Sequence, residues 1–362
     1  MSEYEALAKS VLKNTLHLKA GENVIVEAWN HGLSVAAEFV YQIRAMGARS
    51  LLLLEDEGTF WRSAARLPKA KQGKVGTHEW AALKEADAYV FISGPADITK
   101  IREVGMEKYS AMTAYNEEWY KRAEKYRTRG ARIGLGYVSA ERARAYGFDL
   151  DAWRGMMLDA SSADPREIRR LGRRGQRLLS GKGHVEVTAP NGTHLEFDLA
   201  GRPAHLDDGV VTEERLAEGE NMASIPAGEL YVAPDERSAE GTVRFDRPVA
   251  YVGRWMRGLT FAFDGGRAKW SATEGDEIVR PQWAKGKPGK DLLGGFQVGV
   301  NPRARTGFLQ DYIVAGSVYV LIGNNEEFGG KNKTNFAMAG TLTGATVTVD
   351  GTRIVDQGKV VA

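Results

Sequence analysis

Apolar positions fall close to a 3.6-residue period over residues 3–19, where Tyr4, Leu7, Ala8, Val11, Leu12, Leu16 and Leu18 share one stripe. The Lys-Ala-Gly turn at 19–21 stops that pattern, which predicts an opening helix. A continuous apolar run at 24–28 predicts a buried strand. The next helix, over about 33–46, carries Leu33, Ala36, Val40, Ile43 and Met46 before Gly47 ends it. Further apolar runs at 50–54, 88–92 and 131–136 are separated by helical pattern. Strands that are apolar on both faces and alternate with helices predict a parallel, doubly wound sheet.

Between 164 and 180 the chain reads DPREIRRLGRRGQRLLS, a helix started by Asp164 and Pro165. Its arginines at 166, 169, 170, 173, 174 and 177 suit phosphate or an acidic peptide, or simply a solvated helix linking two domains. After Ser180 the period changes to two. Residues 184–188 and 194–198 alternate around Pro190-Asn191-Gly192, a hairpin signal. Further strands are predicted at 230–232, 242–245, 259–263, 296–300 and 318–322, with a last pair at 346–349 and 354–355 around Asp350-Gly351. The expected fold is α/β, with a doubly wound domain over 1–178 and a β-rich α+β domain over 179–362.

The 362 residues exceed what one core usually serves. Net charge is +2, so no global field drives the chain onto nucleic acid or an anionic membrane, and neither partner is expected. Cysteine is absent, which removes disulfides and thiolate chemistry and fits a reducing compartment. The N-terminal segment lacks an apolar signal region and no run of about 18 apolar residues occurs. A cytoplasmic protein is the expectation.

Parallel sheets bind ligands beyond the carboxyl ends of their strands. The segments there, 29–32, 55–58, 93–97 and 137–140, contain no G-x-G-x-x-G turn, and no phosphate loop occurs elsewhere. His31 at the first of these ends is a ligand contact or a surface histidine. The chain also lacks a G-x-S-x-G elbow and an H-E-x-x-H helix, and no histidine follows His205. Carboxylates remain in the second half: Glu229, Asp235, Glu240, Asp311, Glu326 and Glu327.

Over nearly its whole length the chain resembles the thermophilic metalloaminopeptidases of the aminopeptidase T and aminopeptidase S type. The likeness rests on LAKSVLKNTLHLKAGENVIVEA at the start, on IPAGELYVAPD at 225–235 followed by SAEG at 238–241, and on GGFQVGVNP, GSVYVLIGNN and FGGKNKT. It implies that Glu229 takes the place of a glutamate that bridges two metals. The other ligand positions are implied to be degenerate. Gly295 stands where the family has a glutamate, Tyr319 where it has a histidine, and Ala337 and Ala339 where it has a histidine and an aspartate, with Glu326 aligned to a family tyrosine. Ring-cleaving iron dioxygenases share this fold and also need histidines that are missing here.

The resemblance therefore implies no catalytic residue, no metal and no cofactor. One carboxylate and a tyrosine cannot hold two cations about 3.5–4 Å apart, although a carboxylate site for Mg²⁺ or Ca²⁺ from Glu229, Glu326 and Asp311 is conceivable. What it leaves is a peptide-binding cleft with Tyr319 as a platform, Glu229 facing an amino terminus, and Glu326, Asn332, Arg303, Arg305, Lys331 and Lys333 around it. A pseudo-metallopeptidase that binds a peptide or precursor peptide is expected, as an accessory to peptide processing or to a ribosomal peptide natural-product pathway of the crocagin type, and as a homodimer. The alternatives are a hydrolase with relocated acid–base chemistry by Glu229 and Tyr319, or a structural subunit of a hetero-oligomer.

Overall fold

The computed structural model describes residues 2–362. The chain divides into two compact units, Met1–Ser162 with Gly209–Pro226, and Ala163–Asp208 with Ala227–Ala362. The division falls at residue 162, and a later segment returns to the first unit.

The first unit is built on a five-stranded parallel sheet: β1 (Asn23–Trp29), β2 (Arg49–Glu55), β3 (Ala88–Ile92), β4 (Arg129–Ile133) and β8 (Met222–Ile225), in the order β2-β1-β3-β4-β8. The four apolar runs read from the sequence are its first four strands, and a doubly wound α/β unit is what forms. The run predicted at 131–136 starts earlier and stops at Ile133, because Gly134–Tyr137 turns into a 3-10 segment. A side chain at Gly136 would lie 2.2 Å from the Ser93 carbonyl oxygen, so only glycine allows that turn. The returning segment supplies β8, whose four residues carry too little alternation to read as a strand. The opening helix is likewise split. Glu5–Ser10 is α-helical, and Val11–Thr15 widens to π geometry with Leu16 N–H donating to the Val11 carbonyl at 2.9 Å, which keeps Val11, Leu12 and Leu16 all in the core.

On one face of this sheet Ile25 and Tyr89 pack with Leu83, Trp119 and Ala123 from the helices Thr77–Lys84 and Tyr115–Lys125. The same face carries Glu27, which accepts a hydrogen bond from the Tyr89 hydroxyl. Burial pushes the Glu27 carboxyl up to about 7, against the Tyr89 hydrogen bond, which lowers it, and with the charges of Glu55 and Glu79 adding to the rise.

The second unit packs two antiparallel sheets on one core. The larger has eight strands: β5 (Lys182–Ala189), β6 (Thr193–Ala200), β10 (Glu240–Arg244), β13 (Thr260–Asp264), β14 (Arg267–Ser271), β18 (Thr346–Val349), β19 (Thr352–Asp356) and β20 (Lys359–Val360). The smaller has β7 (His205–Asp207), β9 (Glu229–Val232), β15 (Leu293–Gly299), β16 (Val318–Gly323) and β17 (Ala337–Leu342), in the order β17-β16-β15-β9-β7. A short ribbon of β11 (Val249–Tyr251) and β12 (Arg254–Met256) is hydrogen-bonded into neither sheet but packs on the same core, with Met256 fully buried. Phe197 from the larger sheet meets Phe296 from the smaller with ring centroids 5.1 Å apart. The expected hairpins at Asn191-Gly192 and Asp350-Gly351 form, the second with both residues at positive φ, 47° and 75°.

The arginine-rich segment is the helix Pro165–Leu179, and it clusters with this second unit. It is no solvated linker. Ile168, Gly172, Gly175 and Leu179 are buried, and the two glycines are notches: a Cβ on Gly172 would lie 2.6 Å from Leu206 and one on Gly175 2.7 Å from Leu230. Arg169 donates to Asp208 at 2.8 Å, while Arg166, Arg170, Arg173 and Arg177 are exposed.

Candidate functional site

Strand register decides which candidate residues share a surface. Across the five-stranded sheet His205 pairs with Tyr231, Tyr231 with Gln297, Gln297 with Tyr319, and Tyr319 with Thr341. Directly paired residues point to the same face, as do residues two apart on one strand. Glu229, opposite Gly299, is two before Tyr231; Gly295 is two before Gln297; Ala337 and Ala339 precede Thr341 by four and two. The sheet therefore gathers Glu229, Gly295, Tyr319, Ala337 and Ala339 on one face. The intervening residues Leu230, Val232, Phe296, Val298, Val318, Val320 and Met338 fill the core behind it.

Local backbone fixes Glu229. It follows Gly228, whose φ of +124° favours glycine and whose Cβ would lie 2.7 Å from the Asn301 backbone nitrogen. Asn301 is fully buried. Its side chain donates to the Ala227 carbonyl at 2.6 Å and accepts from the backbone N–H groups of Arg303 and Ala304, both at 2.9 Å, so one residue ties the turn before Glu229 to the loop after β15.

The face is aromatic. His205 and Tyr231 stack at 5.4 Å, Phe328 meets Tyr231 edge-on at 5.2 Å, and Tyr312 lies 5.9 Å from Tyr319. Tyr319 is half-buried. Burial pushes its phenol above the ordinary value, and the nearby charges of Glu229 and Glu327 push it further. Around neutral pH it is a neutral hydroxyl able to donate a hydrogen bond. Gly295 is in tight contact: a Cβ there would lie 2.6 Å from Phe328 Cδ1 and 2.7 Å from Cε1.

The loop carrying Phe328 is pinned from below by Glu236. Arg202 binds this carboxylate at 2.8 Å through Nη1 and 3.0 Å through Nη2, and Asn325 donates to it at 3.0 Å. Burial raises the Glu236 carboxyl, but the hydrogen bonds from Arg202 and Asn325 outweigh it and hold it at about 2.

The other expected contacts are differently placed. Asn332 donates inward to the carbonyls of Gly289 at 2.8 Å and Gly323 at 2.7 Å, so its amide clamps the loop. Glu326 is exposed and ion-paired with Lys333 at 2.8 Å. Arg303 and Arg305 are exposed on the loop that follows β15. Asp311 accepts from Gly307 N–H at 2.7 Å and Phe308 N–H at 3.1 Å. Among the described residues, one group of three possible metal ligands has its donor atoms mutually close, and it consists of Glu186, His194 and Glu196; Glu229, Glu326 and Asp311 do not converge. His31, at the end of β1, has Nε2 2.7 Å from the Gly136 carbonyl oxygen and Nδ1 4.0 Å from Glu57, which makes it a packed residue of the first unit rather than a surface one. Sequence reasoning missed Tyr231, Gln297, His205 and Phe328. The first two were within reach, since they alternate with core positions of predicted strands.

Residues 156–294 match the family model of the thermophilic metalloproteases (M29), a stretch that includes Glu229 and ends just before Gly295. A 90-residue stretch is 34% identical to aminopeptidase T of Thermus aquaticus, covering 25% of this chain and 21% of that protein's length. The fold is similar to that of wild-type AmpT from Thermus thermophilus over 99% of both chains, with a TM-score of 0.75 and 21% identity. It is also similar to 2,5-dihydroxypyridine dioxygenase from Pseudomonas putida, with a TM-score of 0.63, 17% identity, and 99% and 97% of the two chains covered. Together these likenesses show the aminopeptidase T-like α/β fold. No helix among the described residues is long and apolar enough to cross a membrane.

Proposed function

We propose that this chain of aminopeptidase T-like fold is a non-catalytic homologue that binds a peptide on the Glu229–Tyr319 face, as an accessory protein in peptide processing or peptide natural-product synthesis. The observation that carries the reading is the ring of Phe328 against Gly295. A longer side chain at 295 has no room while that ring stays, so the face is finished as an aromatic surface and not left as a ligand set with one member missing. The donors present do not fit a dinuclear centre, since Gly295, Ala337 and Ala339 offer no side-chain ligand and Tyr319 is held protonated. Glu229 offers a carboxylate to a ligand ammonium or guanidinium, and the aromatic side chains offer an apolar wall.

The rival reading gives Glu229 and Tyr319 metal-independent acid–base work. A phenol pushed up by burial is a poor base near neutral pH, which favours binding over catalysis. A homodimer in the cytoplasm completes the proposal; the exposed Leu51, Leu52 and Leu54 of the edge strand β2 offer apolar surface for the pairing.

Calorimetry against a captured or precursor peptide, with product analysis of the same mixture, tests the reading. Intact peptide and saturable binding are expected. Tyr319→Ala should weaken binding by about 1–3 kcal/mol, roughly fivefold to over a hundredfold. Glu229→Gln should weaken only ligands that present a cation. Cleavage of the peptide would favour the enzyme, and wild-type affinity in both variants would move recognition off this face.

A further inference from the structure

The eight-stranded sheet of the second unit carries a different outer face. In β5, His184, Glu186 and Thr188 alternate with the core residues Val185 and Val187, and in β6, His194, Glu196 and Asp198 alternate with Leu195 and Phe197. The antiparallel register sets Glu186 directly opposite Glu196, and Glu196 directly opposite Glu240 of β10. Like charges facing each other across a ladder repel. Three glutamates in one row concentrate negative charge on this outer face, beside the imidazoles of His184 and His194.

The row already has part of a coordination shell. His194 Nε2 lies 3.1 Å from Glu196 Oε1 and 3.3 Å from Glu186 Oε1, and one ligand atom from each of the three lies within 4.8 Å of the others. Bonds of about 2.0–2.2 Å to one ion put its donors roughly 3–4.4 Å apart, so both His194 distances fall inside that span and the 4.8 Å bound on the whole set lies just outside it. Behind Glu196, His184 sits with Nε2 3.6 Å from Oε2 and with Nδ1 2.9 Å from Asp198, the outer partners that orient a ligating carboxylate.

We propose that Glu186, His194 and Glu196 form a surface site for one divalent cation of the zinc, cobalt or nickel class. One imidazole nitrogen with carboxylate oxygens and no thiolate suits these borderline ions better than Mg²⁺ or Ca²⁺. His194 is exposed and both glutamates are half-buried, so water completes the shell. The ion neutralises the glutamate row and cross-links β5 to β6. It is separate from the metals missing at Gly295, Tyr319, Ala337 and Ala339, and it restores no two-cation chemistry.

The test is titration of the chelator-treated full-length protein with zinc chloride in a non-coordinating buffer, with elemental analysis after gel filtration. One zinc per chain is expected, with a dissociation constant on the order of micromolar. His194→Gln and Glu196→Gln should each weaken it at least tenfold, and the double variant Glu186→Gln/Glu196→Gln should abolish it. Cobalt gives a second readout, since its visible absorption should change in His194→Gln. Glu229→Gln should take up the ion as wild type does. None of the three ligands is in the core, so the fold of each variant, followed by circular dichroism, should persist. Absence of saturable uptake below about 1 mM zinc, uptake unchanged in His194→Gln, or uptake lost in Glu229→Gln would each overturn the proposal.

Discussion

Each unit sets a glutamate and a tyrosine on one face of its five-stranded sheet, and the neighbours make the two pairs different. In the parallel sheet, Tyr89 donates to Glu27 under a roof of large rings: Trp119 lies 5.6 Å from Tyr89 and 5.6 Å from Trp80, with the Arg122 guanidinium 4.2 Å above Trp80. In the antiparallel sheet, Glu229 and Tyr319 share their face with Gly295, Ala337 and Ala339. The first pair is a packing element whose carboxyl has been pushed up to about 7, and the second is a half-buried pair on a face whose small positions Gly295, Ala337 and Ala339 leave Phe328 lying directly over the strand. A carboxylate near a phenol therefore marks neither a core nor a site by itself. The size of the side chains around it decides.

The comparison breaks most visibly if Glu27 titrates normally. Its folded-state value of about 7 lies above the ordinary 4.5, so between these pH values the unfolded chain releases this proton while the folded chain keeps it. Stability should then fall as pH rises across that window, by about 3 kcal/mol in all, and stay level above it as far as this group is concerned. Glu27→Gln keeps an acceptor for Tyr89 and cannot ionise. Denaturant unfolding from pH 4 to 8 should show a flatter curve for the variant and greater stability than wild type at the upper end. Parallel curves would mean that Glu27 is hydrated, and the contrast between the two pairs would vanish.

A change of intermediate size sharpens the other side. Gly295→Glu restores the residue type that the family resemblance implies, but its Cβ meets Phe328 at 2.6 Å. Overpacking of this kind should cost about 1–3 kcal/mol. In a Phe328→Ala background the same substitution should cost less than about 0.5 kcal/mol, so a double-mutant cycle should show coupling above about 1 kcal/mol. Additive effects would mean that the ring and position 295 are independent, and the argument for a finished aromatic face would lose its support.

Legibility followed the range of the interactions. Runs such as Ala88–Ile92 are apolar on both faces, which is a local property, and they read as parallel strands. β17, reading AMAGTL, contains two alanines and a glycine where a strand usually shows branched or aromatic residues, so it stayed hidden although it carries two of the positions of interest. Ala337, Ala339 and Tyr319 could be named from the family resemblance, but only the pairing of Tyr319 with Gln297 and Thr341 shows that they face the same way. The Arg202–Glu236–Asn325 network joins residues 34 and 89 positions apart, and no local pattern announces it. The arginine helix misled for the opposite reason. Its charges dominate the sequence, while the contact is made by Gly172 and Gly175, whose meaning depends on Leu206 and Leu230 behind them.

The smallest expected effect tests the second pair itself. At neutral pH, Tyr319→Phe removes one hydroxyl from a half-buried ring and should change stability by less than about 1 kcal/mol. The difference should appear in alkali. Burial raises the Tyr319 phenol, and the Glu229 and Glu327 charges add to the rise, so above the ordinary value of 10.0 the unfolded chain ionises this group before the folded chain does. Wild type should then lose about 1.4 kcal/mol per pH unit from this residue, a loss that Tyr319→Phe does not suffer. Tyr89 and Tyr115 are raised as well and tilt both curves equally, so the difference between the two proteins isolates Tyr319. Glu229→Gln removes one of the two repelling charges, so in that background Tyr319 should ionise at lower pH and the divergence should shrink. Equal alkaline slopes for wild type and Tyr319→Phe would mean that the phenol titrates as it does in water, and Glu229 and Tyr319 would then share a sheet face without the burial and charge coupling that the contrast between the two pairs requires.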